Sequence, residues 1–329
     1  MDPFQPVYSP GDAGAPEVTP SRQIWFSDGN IILEAANTSF RVYSQLVAAK
    51  STVLADILAF PQYTLHEIPV VRLLDAAEDL KALLRAILDS NFFMPPPSPT
   101  HLSTVLAILQ LASKYDITYL FQRALLHLDT LYPTDLNNFL AISPTSHITF
   151  PEPPISGHLE VLKAAMDVDA PWLLPAVHYS IACAPLRQII VLGTPWAALP
   201  ELTRNLILMA HSWRLDRCHK VHAFALRNEP RSASAKCTDQ LGCARAVAHC
   251  ARTLMGLIAR DQPVDPLRFW DEVGLARYEG VRCTGCRAGM REESAQARED
   301  VWAGLPRTFE CATWPELREM KEATMARAD

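Results

Sequence analysis

Glycine is scarce in this chain, 12 of 329 residues, and that scarcity excludes several chemistries at once. Loops that cradle phosphates need glycine so that backbone N–H groups can approach the ligand, and neither G-x-x-x-x-G-K-[ST] nor G-x-G-x-x-G occurs. G-x-S-x-G and H-E-x-x-H are missing as well, which leaves no nucleophile elbow and no zinc-peptidase helix. The expectation is a protein with no catalytic residues. No uninterrupted run of 18 apolar residues is present, so no membrane-spanning helix is expected. Met1–Pro20 has neither the basic n-region nor the apolar h-region of a secretory signal. The expected location is intracellular, cytoplasmic or nuclear, where eight cysteines read as free thiols or metal ligands in preference to a disulfide framework.

What is present suits a folded chain: 49% hydrophobic and 20% charged residues, with a net charge of −6. The length exceeds a single average core, so two domains, or one with an extension, are expected. Residues 1–21 hold Pro3, Pro6, Pro10, Pro16 and Pro20 and read as a disordered tail, because too little apolar surface accompanies them to offset the entropy of ordering. Ile24–Phe26 and Ile31–Leu33 are β-prone, with Asp28-Gly29-Asn30 between them and Ala36–Ser39 as the turn before Phe40–Val42.

The stretch Tyr43–Leu58 is amphipathic: Tyr43, Leu46, Val47, Val53, Leu54, Ile57 and Leu58 share one stripe. One helix is predicted there, stopped by Phe60-Pro61, and Ile68–Leu73 reads as a further strand. Leu80, Leu83, Leu84, Ile87 and Leu88 predict a second helix with Asp75 as N-cap and Glu78 three residues on. Pro95-Pro96-Pro97-Ser98-Pro99 breaks regular structure and reads as a loop, its lone P-x-x-P spacing being a weak polyproline ligand. Helices follow over Leu102–Lys114 and Thr118–Leu131. Together these elements make an α+β domain of about 110 residues.

Three segments, FSDGNIILEAANTSFRVYSQLVAAKSTVLADIL, AAEDLKALLRAILDSNFF and LAILQLASKYDITYLFQRALLHL, resemble in this order and spacing a BTB (POZ) domain, in the divergent form expanded in mushroom-forming fungi. The resemblance spans roughly residues 23–132 and implies a fold without catalytic activity, used for self-association and for holding partners such as cullin scaffolds or transcriptional corepressors. Two positions depart from the family pattern: Tyr43 stands where the family commonly has His, and Leu54 where it has a large aromatic. Both look like core positions, so the fold expectation survives while an obligate homodimer does not follow.

Pro144, Pro151, Pro153 and Pro154 mark a linker over residues 134–157, between a BTB-like domain at 22–133 and a helical C-terminal region at 158–329. Helices are read at Leu159–Met166, Pro171–Cys183 and Leu199–Leu215, similar to the helical segment that often follows a BTB domain. Between Arg204 and Arg260 ten bases face three acids, a local charge of +7 in an acidic chain. Such a surface could engage nucleic-acid phosphates, but no recognition helix and no stacking aromatics accompany it, and a solvated face or a dock for an acidic partner is the simpler reading.

Cys183, Cys218 and Cys311 stand apart and read as buried thiols. Cys283 and Cys286 have the C-x-x-C spacing with which two thiolates grip one tetrahedral ion, and Gly285 suits a tight turn between them. Cys237 and Cys243, about forty residues earlier, complete a candidate four-thiolate structural zinc site, with Cys250 or His249 as substitute ligands. Related fungal chains carry similar paired cysteines, as the resemblance implies. Four thiolates would leave no open position for a catalytic water, and they are too few for a two-zinc RING. The competing readings are unrelated thiols or a C-x-x-C redox centre, the latter without the βαβ pattern of a thioredoxin. His219 and His222 beside Cys218 form a weaker metal trio with no fourth ligand in reach. Trp302 and Trp314 are expected to anchor a core. The composite expectation is an interaction adaptor, with a nucleic-acid-associated transcriptional regulator as the alternative and a thiol redox protein as a remote third.

Overall fold

A computed structural model describes residues 18–61, 63–142, 146–191, 193–221, 237–259, 265–268 and 282–326. The fold is mixed α and β, with the sheet confined to the N-terminal part and a helical C-terminal half. Two compact units emerge, one made of residues 1–130, 145–150 and 323–329, the other of residues 131–144 and 151–322.

The first unit is built on a five-stranded sheet in the order β1-β3-β2-β5-β4. Its strands are β1 (Thr19–Trp25), β2 (Ile31–Ala35), β3 (Thr38–Val42), β4 (Tyr63–Leu65) and β5 (Ile68–Leu73). The centre is β2, antiparallel to β3 and parallel to β5, and all five of its residues are buried. Buried Glu34 is tolerated there because Arg72, its cross-strand partner in β5, donates from Nε at 3.0 Å. Gly29 sits where a Cβ would meet the Val42 carbonyl oxygen at 2.9 Å, so the chain can pass this close to β3 only without a side chain.

Residues 1–17 of the expected disordered tail lie outside the described residues, but Thr19, Pro20 and Ser21 belong to β1, which pairs parallel to β3. Residues 19–21 are therefore strand where the composition indicates tail, since the pairing partner of β1 is supplied from about twenty residues downstream.

The single helix expected over Tyr43–Leu58 is two, α1 (Ser44–Ala48) and α2 (Thr52–Leu58). Ser51 divides them: its Oγ accepts from the Leu54 N–H at 2.9 Å and donates to the Tyr115 carbonyl, so a helix cap and a long-range bond are made by one hydroxyl. Of the predicted stripe, Val47, Leu54 and Leu58 are buried whereas Leu46 is 53% exposed. Leu54 is a core residue as expected. Tyr43 is only half-buried, its hydroxyl donating to Asp28 at 2.5 Å.

Helix α3 (Ala77–Leu88) buries Leu80, Leu83 and Leu84. Its N-cap is Ala76 without a side-chain bond; Asp75 instead accepts from Lys114 Nζ at 2.5 Å and from the Tyr115 hydroxyl. Asp75 thus ties α3 to α4 (Leu102–Lys114), which packs between α3 and α5 (Thr118–Asp129). His127, fully buried in α5, holds the proline-rich loop through the Met94 carbonyl at 2.8 Å and reaches His147 Nε2 at 3.0 Å.

The expected linker is structured. It contains α6 (Leu136–Ala141) with buried Phe139, then Ile148–Thr149 as strand β7, paired parallel to β6 (Thr100–His101). Helix α7 (Pro154–Asp167) starts with proline at its first position, where the missing N–H costs nothing. Proline density therefore marks here the start of a helix and the ends of short elements instead of a flexible spacer.

In the second unit α8 (Leu174–Ala182), preceded by a short 3-10 turn at Pro171–Leu173, packs against α7. The short α9 (Leu186–Val191) and α10 (Thr194–Ala197) lead to α11 (Glu201–Val221), α12 (Gln240–Ala259), α13 (Thr284–Thr308) and α14 (Trp314–Met325). Trp302 and Trp314 stack with centroids 4.9 Å apart and planes 8° from parallel, and Trp314 Nε1 donates to the Trp302 carbonyl at 2.8 Å. They close the core as expected, with Phe139 against Trp302 at 5.1 Å. Among the described residues no helix is long and apolar enough to cross a membrane.

Candidate metal centre

The four cysteines singled out by spacing meet in the second unit: Cys237, Cys243, Cys283 and Cys286 place their Sγ atoms within 4.8 Å of one another. Each pair reaches the cluster on the start of a helix. Asp239 caps α12, its Oδ1 accepting from the Gly242 N–H at 2.9 Å and its carbonyl from the Cys243 N–H at 3.0 Å. Cys237 therefore stands just before α12 and Cys243 in its first turn. Cys283 is itself the N-cap residue of α13, and Cys286 lies three residues in. Thr284 and Gly285 are helical, so the turn between the two sulfurs is the first turn of a helix and needs no special glycine geometry.

Distances fit one ion. A tetrahedral thiolate site with metal–sulfur bonds of about 2.3 Å has sulfur–sulfur edges of about 3.8 Å, and Cys283 Sγ lies 3.9 Å from Cys237 Sγ. Cys243 and Cys286 are buried, Cys237 and Cys283 half-buried. Backbone donors converge as well. The Cys283 N–H points to Cys243 Sγ at 3.3 Å. The backbone N–H groups of Cys286 and Thr238 near Cys283 Sγ favour its thiolate and lower its thiol to about 5. Burial raises the Cys243 thiol, and burial together with the neighbouring sulfurs raises that of Cys286. Four sulfurs this close cannot all carry charge unaided; a divalent cation at their centre removes the conflict. The donor set, spacing and geometry thus make a cluster able to hold one metal ion.

Of the two substitute ligands, His249 is not among the clustered residues. His249 is exposed, and the Cys250 side chain lies outside what is described. His222 and the side chains of Cys218 and His219 also fall outside the described residues, as do Arg227, Arg231, Lys236 and Arg260 of the basic segment. Of its described bases, Arg214 is buried, Arg204 and Arg217 are half-buried, and Arg245 and Arg252 are exposed. Cys183 and Cys311 are half-buried rather than buried, and desolvation pushes the Cys311 thiol up to about 11.

Sequence reasoning missed Asp239 and the N-cap position of Cys283. For Asp239 the signal was available: Asp-x-x-Gly-Cys places a capping carboxylate three residues before an N–H donor. Comparison with protein-family models, with curated proteins and with solved structures finds no match to this chain.

Proposed function

We propose that this chain is a non-catalytic protein-interaction adaptor in which a BTB-type unit holds partners and the helical unit is pinned by structural zinc. The observation that carries the first half is the element order of the sheet-bearing unit. The β2–β3 hairpin runs directly into α1 and α2, β5 returns parallel to β2, and α3, α4 and α5 follow. The three segments that carry the BTB resemblance occupy the hairpin with its paired helices, then α3, then the α4–α5 pair. The second half rests on four thiolates at tetrahedral spacing, a donor set that suits zinc and closes its coordination shell.

The partners this reading implies are a cullin scaffold or a corepressor, with self-association through the same unit. The nucleic-acid alternative draws less support, because Arg214 is spent in the interior and only Arg245 and Arg252 among the described bases of that segment are exposed. A native mass spectrum of the purified chain gives subunit number and metal content together. One zinc per chain, lost in Cys286→Ser, supports the site; a metal-free chain with intact thiols rejects it. Titration of purified cullin and corepressor fragments tests the adaptor half, and absence of binding to both by zinc-loaded protein rejects these partners.

A further inference from the structure

Arg282 precedes the first cysteine of the C-x-x-C pair and is buried, with 6% of its surface exposed. Its Nη1 donates to Met290 Sδ at 2.7 Å, while Nε and Nη2 have no hydrogen-bond partner among the described residues. A guanidinium is always charged, and burying one without an anion costs several kcal/mol in general. The fold therefore holds a cation for which the cysteines, as thiols, offer no counter-charge. Met290, the residue the guanidinium contacts, lies four residues beyond Cys286 on α13, about 6 Å along the helix axis in backbone position at 1.5 Å rise per residue.

Donors of positive partial charge gather at the cluster, beside the Asp239 carboxylate that caps α12. Two helix N-termini converge on it, each carrying a partial positive charge, and backbone N–H groups of Thr238, Cys283 and Cys286 lie near sulfur. A divalent metal held by four thiolates carries a net charge of −2. That complex supplies the anion that Arg282 lacks. We infer that Arg282 is the counter-charge of a dianionic metal–tetrathiolate centre, a positioning residue that favours a divalent ion held by all four sulfurs. This inference rests on the zinc site proposed above and names the residue that tunes it.

The test compares the parent chain with Arg282→Met, Arg282→Gln and Arg282→Lys. Zinc affinity is read by competition with a chromophoric chelator. Cobalt-loaded protein reports whether four thiolates still bind, and the iron-loaded form gives a reduction potential. Loss of the charge is expected to weaken zinc binding by about tenfold or more, as loss of a neighbouring unit charge implies, with the four-thiolate cobalt spectrum unchanged. The iron potential should move to more negative values, because the ferrous tetrathiolate carries one more negative charge than the ferric. Lysine should restore both. Zinc affinity within twofold of the parent in Met and Gln variants overturns the inference, as does weaker binding with an unmoved potential and no rescue by lysine, which marks a packing role. A parent chain that binds no metal removes the zinc reading and this inference together, whereas tight binding untouched by the substitutions removes the inference alone.

Discussion

His178 is a buried imidazole and His158 a half-buried one; desolvation holds both neutral and lowers the pKa of each to about 4. His158 Nδ1 meets the Tyr132 hydroxyl at 2.6 Å. His178 Nδ1 faces the Leu174 carbonyl at 2.8 Å, which assigns the proton to that nitrogen, and its ring stacks on Phe309 with centroids 4.8 Å apart. Above pH 6.5 both rings are neutral folded and unfolded, and the difference costs nothing. Between pH 6.5 and about 4 the unfolded chain binds protons that the folded chain refuses, so stability present at neutral pH is lost across that window and falls no further below it. At 1.36 kcal/mol per pH unit the loss is about 3 kcal/mol for each residue. Urea midpoints of the helical unit measured from pH 7 to pH 4 should fall accordingly, and His178→Gln should flatten part of the slope. A midpoint independent of pH over this range would contradict the burial argument.

At the scale of elements, the metal centre is as good as the helix starts that present it. Asp239→Ala removes the acceptor for the Gly242 N–H and should cost about 1 kcal/mol, with zinc affinity falling alongside because Cys243 sits in the turn that Asp239 fixes. Asn or Ser at 239 should recover most of both. Gly242→Ala is expected to act in the same direction, since a Cβ there collides with Asp239 Oδ2. Thermal melting and chelator competition on the three variants check this, and an Ala variant equal to the parent in both rejects the cap as the source of precision. Here too lies the difference between what the sequence discloses and what it hides. The stripe of Leu80, Leu83 and Leu84 was legible because helical burial follows a local period. The grouping of the four cysteines was legible because chelation favours short spacings. The division of α1 from α2 was not, because the Ser51 hydroxyl answers to a carbonyl 64 residues away. Asp75 looked like a cap for the same reason in reverse: its local pattern is right, but Lys114 and Tyr115 claim it. Strand β1 hid behind its proline, since parallel pairing with β3 is a tertiary decision.

For the whole molecule the two units differ in what holds them. The sheet-bearing unit stands on apolar burial, with β2 inside on both faces and α3 contributing Leu83 at no exposure. Leu83→Ala should therefore cost about 2–5 kcal/mol there, through lost transfer energy and the cavity left behind. The helical unit has an additional tie, because the cluster joins residues 237–243 to residues 283–286 and closes the long segment between them. Structural zinc contributes about 10–16 kcal/mol in small peptides, as large as the roughly 5–15 kcal/mol that stabilises an entire domain. Two perturbations should then separate. Chelation should strip amide protection from α12 and α13 while the strands β2, β3 and β5 keep theirs, and Leu83→Ala should do the opposite with zinc still bound. Hydrogen exchange with mass-spectrometric readout resolves both in one experiment. Uniform loss of protection on chelation would mean that the metal holds the molecule together as a single cooperative body. Selective loss means that the metal sets the shape of the helical unit alone and leaves the sheet-bearing unit intact without it.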